Sequence, residues 1–144
     1  MLLNFQDRRF TIDGKIRYGK LNLIMEVYYK KYINTKSIPA TVPVLSSDLP
    51  SIFKCECFNE ENKNFKEESG QTELGHLFEH IMLEYLCITK LNSGCKQAIY
   101  EGVTNWAVDN PYIFNIQIKT GKRDIENIEK AFKKSTRLLG KILG

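Results

Sequence analysis

The sequence predicts an α+β fold of two layers: a mostly antiparallel sheet with two helices on one face, in the order β-β-β-α-β-β-α. Three observations predict it. Short segments rich in β-branched and aromatic residues stand before and after a long central stretch whose apolar residues recur at helical spacing. A second stretch of helical spacing closes the chain, and helices of this kind pack most simply together on one side of a sheet. The 144 residues, 42% apolar and 26% charged, suffice for one domain with its own core, spanning residues 1 to 144.

Taken in order, Leu2 to Ile12 alternates apolar and polar residues and reads as an opening strand that reaches a turn at Asp13-Gly14. Leu21 to Ile33 has the length of a helical turn or more, but the β-branched and aromatic content of Leu23 to Tyr29 favours a second strand. Pro39, Pro43 and Pro50 make Asn34 to Pro50 a loop, with one helical turn around Val44 to Ser47. Ile52 to Phe58 reads as the third strand, which puts Cys55 and Cys57 on the same side, and the polar run Asn59 to Ser69 as an exposed loop. The central helix is expected to start near Thr72 as its cap and to stop at Asn92-Ser93-Gly94. Its apolar stripe is Leu74, Leu77, Phe78, Ile81, Met82, Tyr85 and Ile88, which leaves His76, Glu79, His80 and Glu84 on a side facing a cleft or solvent. Lys96 to Val108 reads as a strand with an irregularity at Gly102, followed by a turn at Asp109-Asn110-Pro111. Tyr112 to Lys119 alternates as a half-buried strand, and Asp124 caps a last helix that turns Ile125, Ile128, Phe132, Leu139 and Ile142 inward. Phe78, Tyr85 and Trp106 are expected in the core.

The net charge of +4 comes largely from Lys119 to Lys141, where a solvated helix face explains the excess and an anion-binding surface is the alternative. Nucleic acid is not a favoured partner. No apolar run spans a bilayer and the N-terminus does not have the build of a signal peptide, so no membrane is involved and a cytoplasmic protein is expected. Cys55, Cys57, Cys87 and Cys95 lack the dense spacing of a disulfide scaffold and read as reduced thiols or metal ligands.

Both histidines of the chain fall in the central helix, four residues apart, with Glu79 immediately before the second. Positions i and i+4 share a helix face, so His76 and His80 can reach one metal ion, in the arrangement H-x-x-E-H. In a catalytic zinc site three protein ligands leave a position for water, and an adjacent carboxylate carries the proton. Glu79 suits that general-base role, with metal-bound hydroxide as the attacking group. Glu84 stands roughly 12 Å along the axis from His76, at 1.5 Å per residue, and fits poorly as third ligand. A cysteine of the preceding strand suits better, Cys57 first and Cys55 in reserve, although either is equally read as a small core hydrophobe. Cys87 and Cys95 read as packing residues.

The residues Gln71 to Glu84 closely resemble the G-T-x-L-G-H-x-x-E-H-x-x-L-E signature of the N-terminal domain of cyanophycin synthetases, with Gln71 in place of the first Gly. Leu49-Pro50 followed by Cys57 resembles the L-P…C segment of the same family. The resemblance implies an α+β domain that holds a growing arginine-and-aspartate polymer and, in some members, carries a metallopeptidase-like site that cuts polymer into primers. It further implies zinc on Cys57, His76 and His80, with Glu79 as base. The helix is also similar to those of pitrilysin-type peptidases and S-ribosylhomocysteine lyase. The chain departs from the family at Lys63-Asn64-Phe65, where the family has Gly-Gly-Phe, and at Glu101 to Asn105, where it has an Arg-rich segment. The ATP-grasp and Mur-ligase-like regions are not among these residues, so synthesis by this chain alone is not expected. The expected function is a zinc-dependent hydrolase of peptide or isopeptide-like bonds acting on a peptide-like or polymeric amide. The alternative is a non-catalytic module that binds a polymer or a partner synthetase chain.

Overall fold

A computed structural model describes residues 2–54, 64–92, 100–107, 109–120 and 125–144. The chain opens as an antiparallel meander of β1 (Leu2–Gln6), β2 (Phe10–Arg17) and β3 (Lys20–Val27). The single opening strand expected from the sequence is thus two. Asp7 makes the first turn, its Oδ1 accepting the amide protons of Arg9 and Phe10 at 2.6 and 3.1 Å. The second turn lies at Tyr18 and Gly19, both with positive φ, and not at Asp13-Gly14, through which β2 runs without a break. Gly14 serves packing instead: a Cβ there would lie 2.7 Å from Leu23 Cδ2.

After a three-residue turn of 3-10 helix at Lys30–Tyr32, the chain forms α1 (Thr41–Asp48), around the helical turn expected at Val44 to Ser47. The third strand expected at Ile52 to Phe58 is not formed where it can be seen, since Pro50–Lys54 is 3-10 helix with Ile52 buried. Pro50 fixes the φ that a helical start requires. Residues 55–58, with Cys55 and Cys57, lie outside the described residues. The expected exposed loop ends early, because the Asn64 side chain caps α2 (Phe65–Ser69) by accepting from the Glu67 amide at 2.9 Å. The long helix α3 spans Leu74–Asn92.

Two further strands, β4 (Glu101–Ala107) and β5 (Asn110–Lys119), complete one antiparallel sheet in the order β1-β2-β3-β5-β4. The irregularity of β4 falls between Trp106 and Ala107 and not at Gly102. Asp109, at φ 66°, makes the turn, and Asn110 and Pro111 already belong to β5. The chain ends in α4 (Ile125–Leu143), whose expected cap Asp124 lies outside the described residues.

The architecture is the expected two-layer α+β sandwich, although the three leading strands are not the three segments read from the sequence. Phe10, Ile12, Leu21, Leu23, Met25, Phe114, Ile116 and Ile118 cover the inner face of the sheet. Leu74, Leu77, Phe78, Ile81, Met82 and Leu86 of α3 meet them, with Ile128, Phe132, Leu139 and Ile142 of the adjoining α4. Each such side chain contributes about 1.5–3 kcal/mol on burial. Ile125, expected inward, is exposed at the first turn of α4, while Ala131 and Leu138 join the core. Among the described residues, no helix is long and apolar enough to cross a membrane.

Candidate metal centre

The polar side of α3, expected to face a cleft or solvent, is partly enclosed: Glu79 is 5% exposed and His80 4%, while His76 lines a cleft. Three neighbours cover Glu79 and His80. Phe65, at the start of α2, stacks on the His80 ring with centroids 4.1 Å apart and planes 26° from parallel. The backbone of Gly102 in β4 closes over Glu79, so that a Cβ at that position would lie 3.1 Å from Glu79 Cγ. Thr104, two residues on and on the same face of β4, donates its hydroxyl to Glu79 Oε1 at 2.8 Å.

The start of α3 is fixed by two contacts. Thr72 exchanges hydrogen bonds with Thr35, its N–H donating to Thr35 Oγ1 and its C=O accepting from the Thr35 amide, and its own hydroxyl lies 2.9 Å from His76 Nδ1. Gly75 lies flat against Phe114 of β5, where a Cβ would approach the ring at 2.4 Å. No larger residue leaves the helix this close to the sheet.

The two imidazoles meet edge to face at 79°, with centroids 4.7 Å apart and their Nε2 atoms 3.1 Å apart. Glu79 Oε2 lies 3.9 Å from His80 Nε2. One ligand atom from each of His76, Glu79 and His80 lies within 4.8 Å of the others, so the three could hold a metal ion. Two nitrogens at that separation, each about 2.05 Å from a common ion, would subtend an angle of about 98°, near tetrahedral.

The proton inventory agrees with that use. Glu68 Oε1 stands 3.4 Å from His76 Nδ1, and a carboxylate there favours the proton on Nδ1 and a lone pair on Nε2. Burial, reinforced by His76, lowers the pKa of His80 to about 3, so its ring is neutral at ordinary pH. Among the described residues, His80 Nδ1 is buried without a hydrogen-bond partner. Burial raises the pKa of Glu79, against the lowering effects of Thr104 and His76 and with a smaller push from Glu68. A cation beside the desolvated Glu79 carboxylate and the neutral His80 ring would lower the cost of burying both.

Of the other residues singled out from sequence, Cys57 and Cys55 lie outside the described residues. Glu84 is not in the group; its carboxylate accepts the Ser51 hydroxyl at 2.7 Å. Cys87 is half-buried, with its thiol pKa raised by burial. Sequence reasoning missed Glu68, Phe65 and Thr104. The Asn64 cap with Glu67 three residues on is a signal for α2, whereas nothing local ties Thr104 to Glu79, 25 residues away. Trp106, expected in the core, is 58% exposed. It forms the rim of a cleft of about 350 Å³ lined by Glu73, His76, Thr104, Asn105, Trp106 and Phe114. No protein-family model and no curated protein matches this chain.

Proposed function

We propose that this chain is a zinc-dependent hydrolase of peptide or isopeptide-like bonds, with Glu79 as general base. The observation that carries the reading is the approach of His76 Nε2 and His80 Nε2 to 3.1 Å beside the buried Glu79 carboxylate. His76 and His80 would hold the ion, with Cys57 as the proposed third ligand; two imidazoles and a thiolate are a donor set that zinc favours. When bound, the ion would polarise the substrate carbonyl and make a water more acidic.

The chain's own residues supply the rest. Glu79, kept in place by Thr104, accepts a proton from water as the oxygen adds to the carbonyl carbon, and delivers it to the nitrogen as the C–N bond breaks. One water is consumed, and an acid and an amine are released. Its raised pKa brings proton uptake and release closer to neutrality than an exposed glutamate allows. Glu68 and Thr72 orient His76, and the stacked Phe65 keeps water from His80. The resemblance to the N-terminal domain of cyanophycin synthetases makes a polymeric amide one candidate substrate.

Metal analysis tests the first half: protein purified from zinc-replete cells should carry near-stoichiometric metal, lost in His76→Ala and His80→Ala. An unmetallated wild type sinks the reading. For the second half, Glu79→Gln should retain the metal and lose hydrolysis.

A second reading is favoured by α4, where Lys130, Lys133, Lys134, Arg137 and Lys141 are exposed and the last three line a groove of about 740 Å³ with Asp48 and Tyr85. It is a non-catalytic module that grips an acidic or mixed-charge polymer or a partner synthetase chain. That binding would weaken with salt and survive Glu79→Gln.

A further inference from the structure

We propose that the outer edge of β4 is the docking line of the substrate, an extended chain with an amide backbone that joins the sheet as a sixth strand and rests a side chain on Trp106. This rests on the hydrolase reading and names the form in which the substrate is presented.

Four observations converge on β4. It is the last strand of the sheet, and among the described residues it pairs with β5 alone, so alternate backbone N–H and C=O groups point outward. Edges are usually blunted by lysine, proline or covering elements. Here Glu101 is the one charged residue of the strand, and it stands at the start.

This edge also lies against the candidate centre. Gly102 and Thr104 both touch Glu79, and Thr104, Asn105 and Trp106 line the cleft that contains His76. A strand added about 4.8 Å beyond β4 would run along the mouth of that cleft. An amide carbonyl of that strand would then lie along the cleft at His76, the member of the group that lines it.

Trp106 supplies the last argument. Its register partner Phe114 is fully buried, as are Ile116 and Ile118 on the same inner face, yet Trp106 itself is 58% exposed at the cleft rim. A large amphipathic ring left open beside a reaction centre and an unpaired strand is suited to take a substrate side chain. A small molecule would use the cleft and leave the backbone edge unused. An extended amide chain satisfies both.

The test uses the Glu79→Gln full-length protein, so that bound chains persist, and a mixture of end-blocked, tryptophan-free ten-residue peptides of randomised sequence. Hydrogen exchange should slow at the amides of β4 and stay unchanged at the other edge strand, β1. The emission of Trp106, the single tryptophan, should shift to the blue on the same titration. Fully N-methylated peptides should do neither, and Trp106→Ala should weaken binding about tenfold while leaving exchange in the peptide-free protein as it was. No slowing at β4, equal slowing by the N-methylated peptides, or slowing at β1 instead would overturn the proposal. Wild-type turnover judges the other reading separately. Cleavage without protection of β4 removes the docking line alone, and protection without cleavage removes the hydrolase alone.

Discussion

Gly75→Ala tests the tightest glycine packing among the described residues. The added Cβ would stand 2.4, 2.6 and 2.7 Å from Phe114 Cγ, Cβ and Cδ1, where carbon atoms rest at about 3.5 Å or more. Relief requires α3 and β5 to part by about 1 Å. Alanine favours a helix over glycine by about 1 kcal/mol, whereas overpacking a filled core costs about 1–3 kcal/mol and more where backbone must move. Phe114 is fully buried and held by the sheet, so the backbone has to give. A net loss of about 2 kcal/mol is expected in urea unfolding. The same shift would carry Glu79 away from Thr104, taking their 2.8 Å hydrogen bond past 3.5 Å, so metal retention should fall with stability. In a Phe114→Ala background, where two of the three close atoms are gone, Gly75→Ala should cost measurably less. A variant about 1 kcal/mol more stable than wild type, the plain helix-propensity result, would refute the reasoning.

Acidification should act through His80. Its folded pKa of about 3 lies below the ordinary value of 6.5, so the unfolded chain takes the proton first and stability falls as pH drops from 6.5 towards 3. At pH 5 the loss is about 2 kcal/mol. In chelator-treated protein, urea unfolding at pH 7 and pH 5 should show His80→Gln losing less than wild type by about that amount; equal losses would count against a buried, neutral His80. Thr104→Val removes the one hydroxyl that donates to Glu79 Oε1, which should cost about 1–3 kcal/mol while the carboxylate is ionised. Because the Glu79 pKa is raised on folding, its favourable contribution is lost as pH rises through the folded value. Thr104→Val should therefore be more destabilising at pH 8 than at pH 5. Glu84→Gln should leave metal content unchanged in elemental analysis, since Glu84 is engaged by Ser51 outside the group.

The long helices and the final strand were legible because periodicity is local: the stripe from Leu74 to Ile81 and the alternation from Phe114 to Ile118 each declare a buried face. The errors came from residues whose local and tertiary roles differ. Gly14 reads as a turn signal, yet it is small because Leu23 presses on it from the next strand. The run around Asn64 to Glu68 reads as solvated loop, yet one capping bond makes it a short helix that brings Phe65 onto His80. Trp106 reads as core by composition and lies on the core face by register, but it stands exposed at the cleft rim. The pairing of His76 and His80 follows from i, i+4 spacing alone. The burial of Glu79 and His80 depends on β4 and α2, which no spacing within α3 reveals.

That burial bears on why the group exists. Buried helix positions are most stable with apolar residues, yet α3 carries a glutamate and a histidine at two of them. Among the described residues, the partnerless Nδ1 of His80 alone costs about 1–3 kcal/mol, and the desolvated Glu79 carboxylate has one hydroxyl donor to offset it. A purely structural role would be met better by leucine at both positions. A cation near the facing Nε2 atoms would change that balance: two lone pairs and a carboxylate that are a liability to the fold would become its ligands and their neighbour. Neutral imidazoles and an anionic oxygen are the forms such an ion requires, and burial has already produced the first at His80. Among the described residues, His76 and Thr104 reach the surface in the cleft along β4. On the proposed function, the enclosure that makes the group costly would also set the side from which a substrate comes.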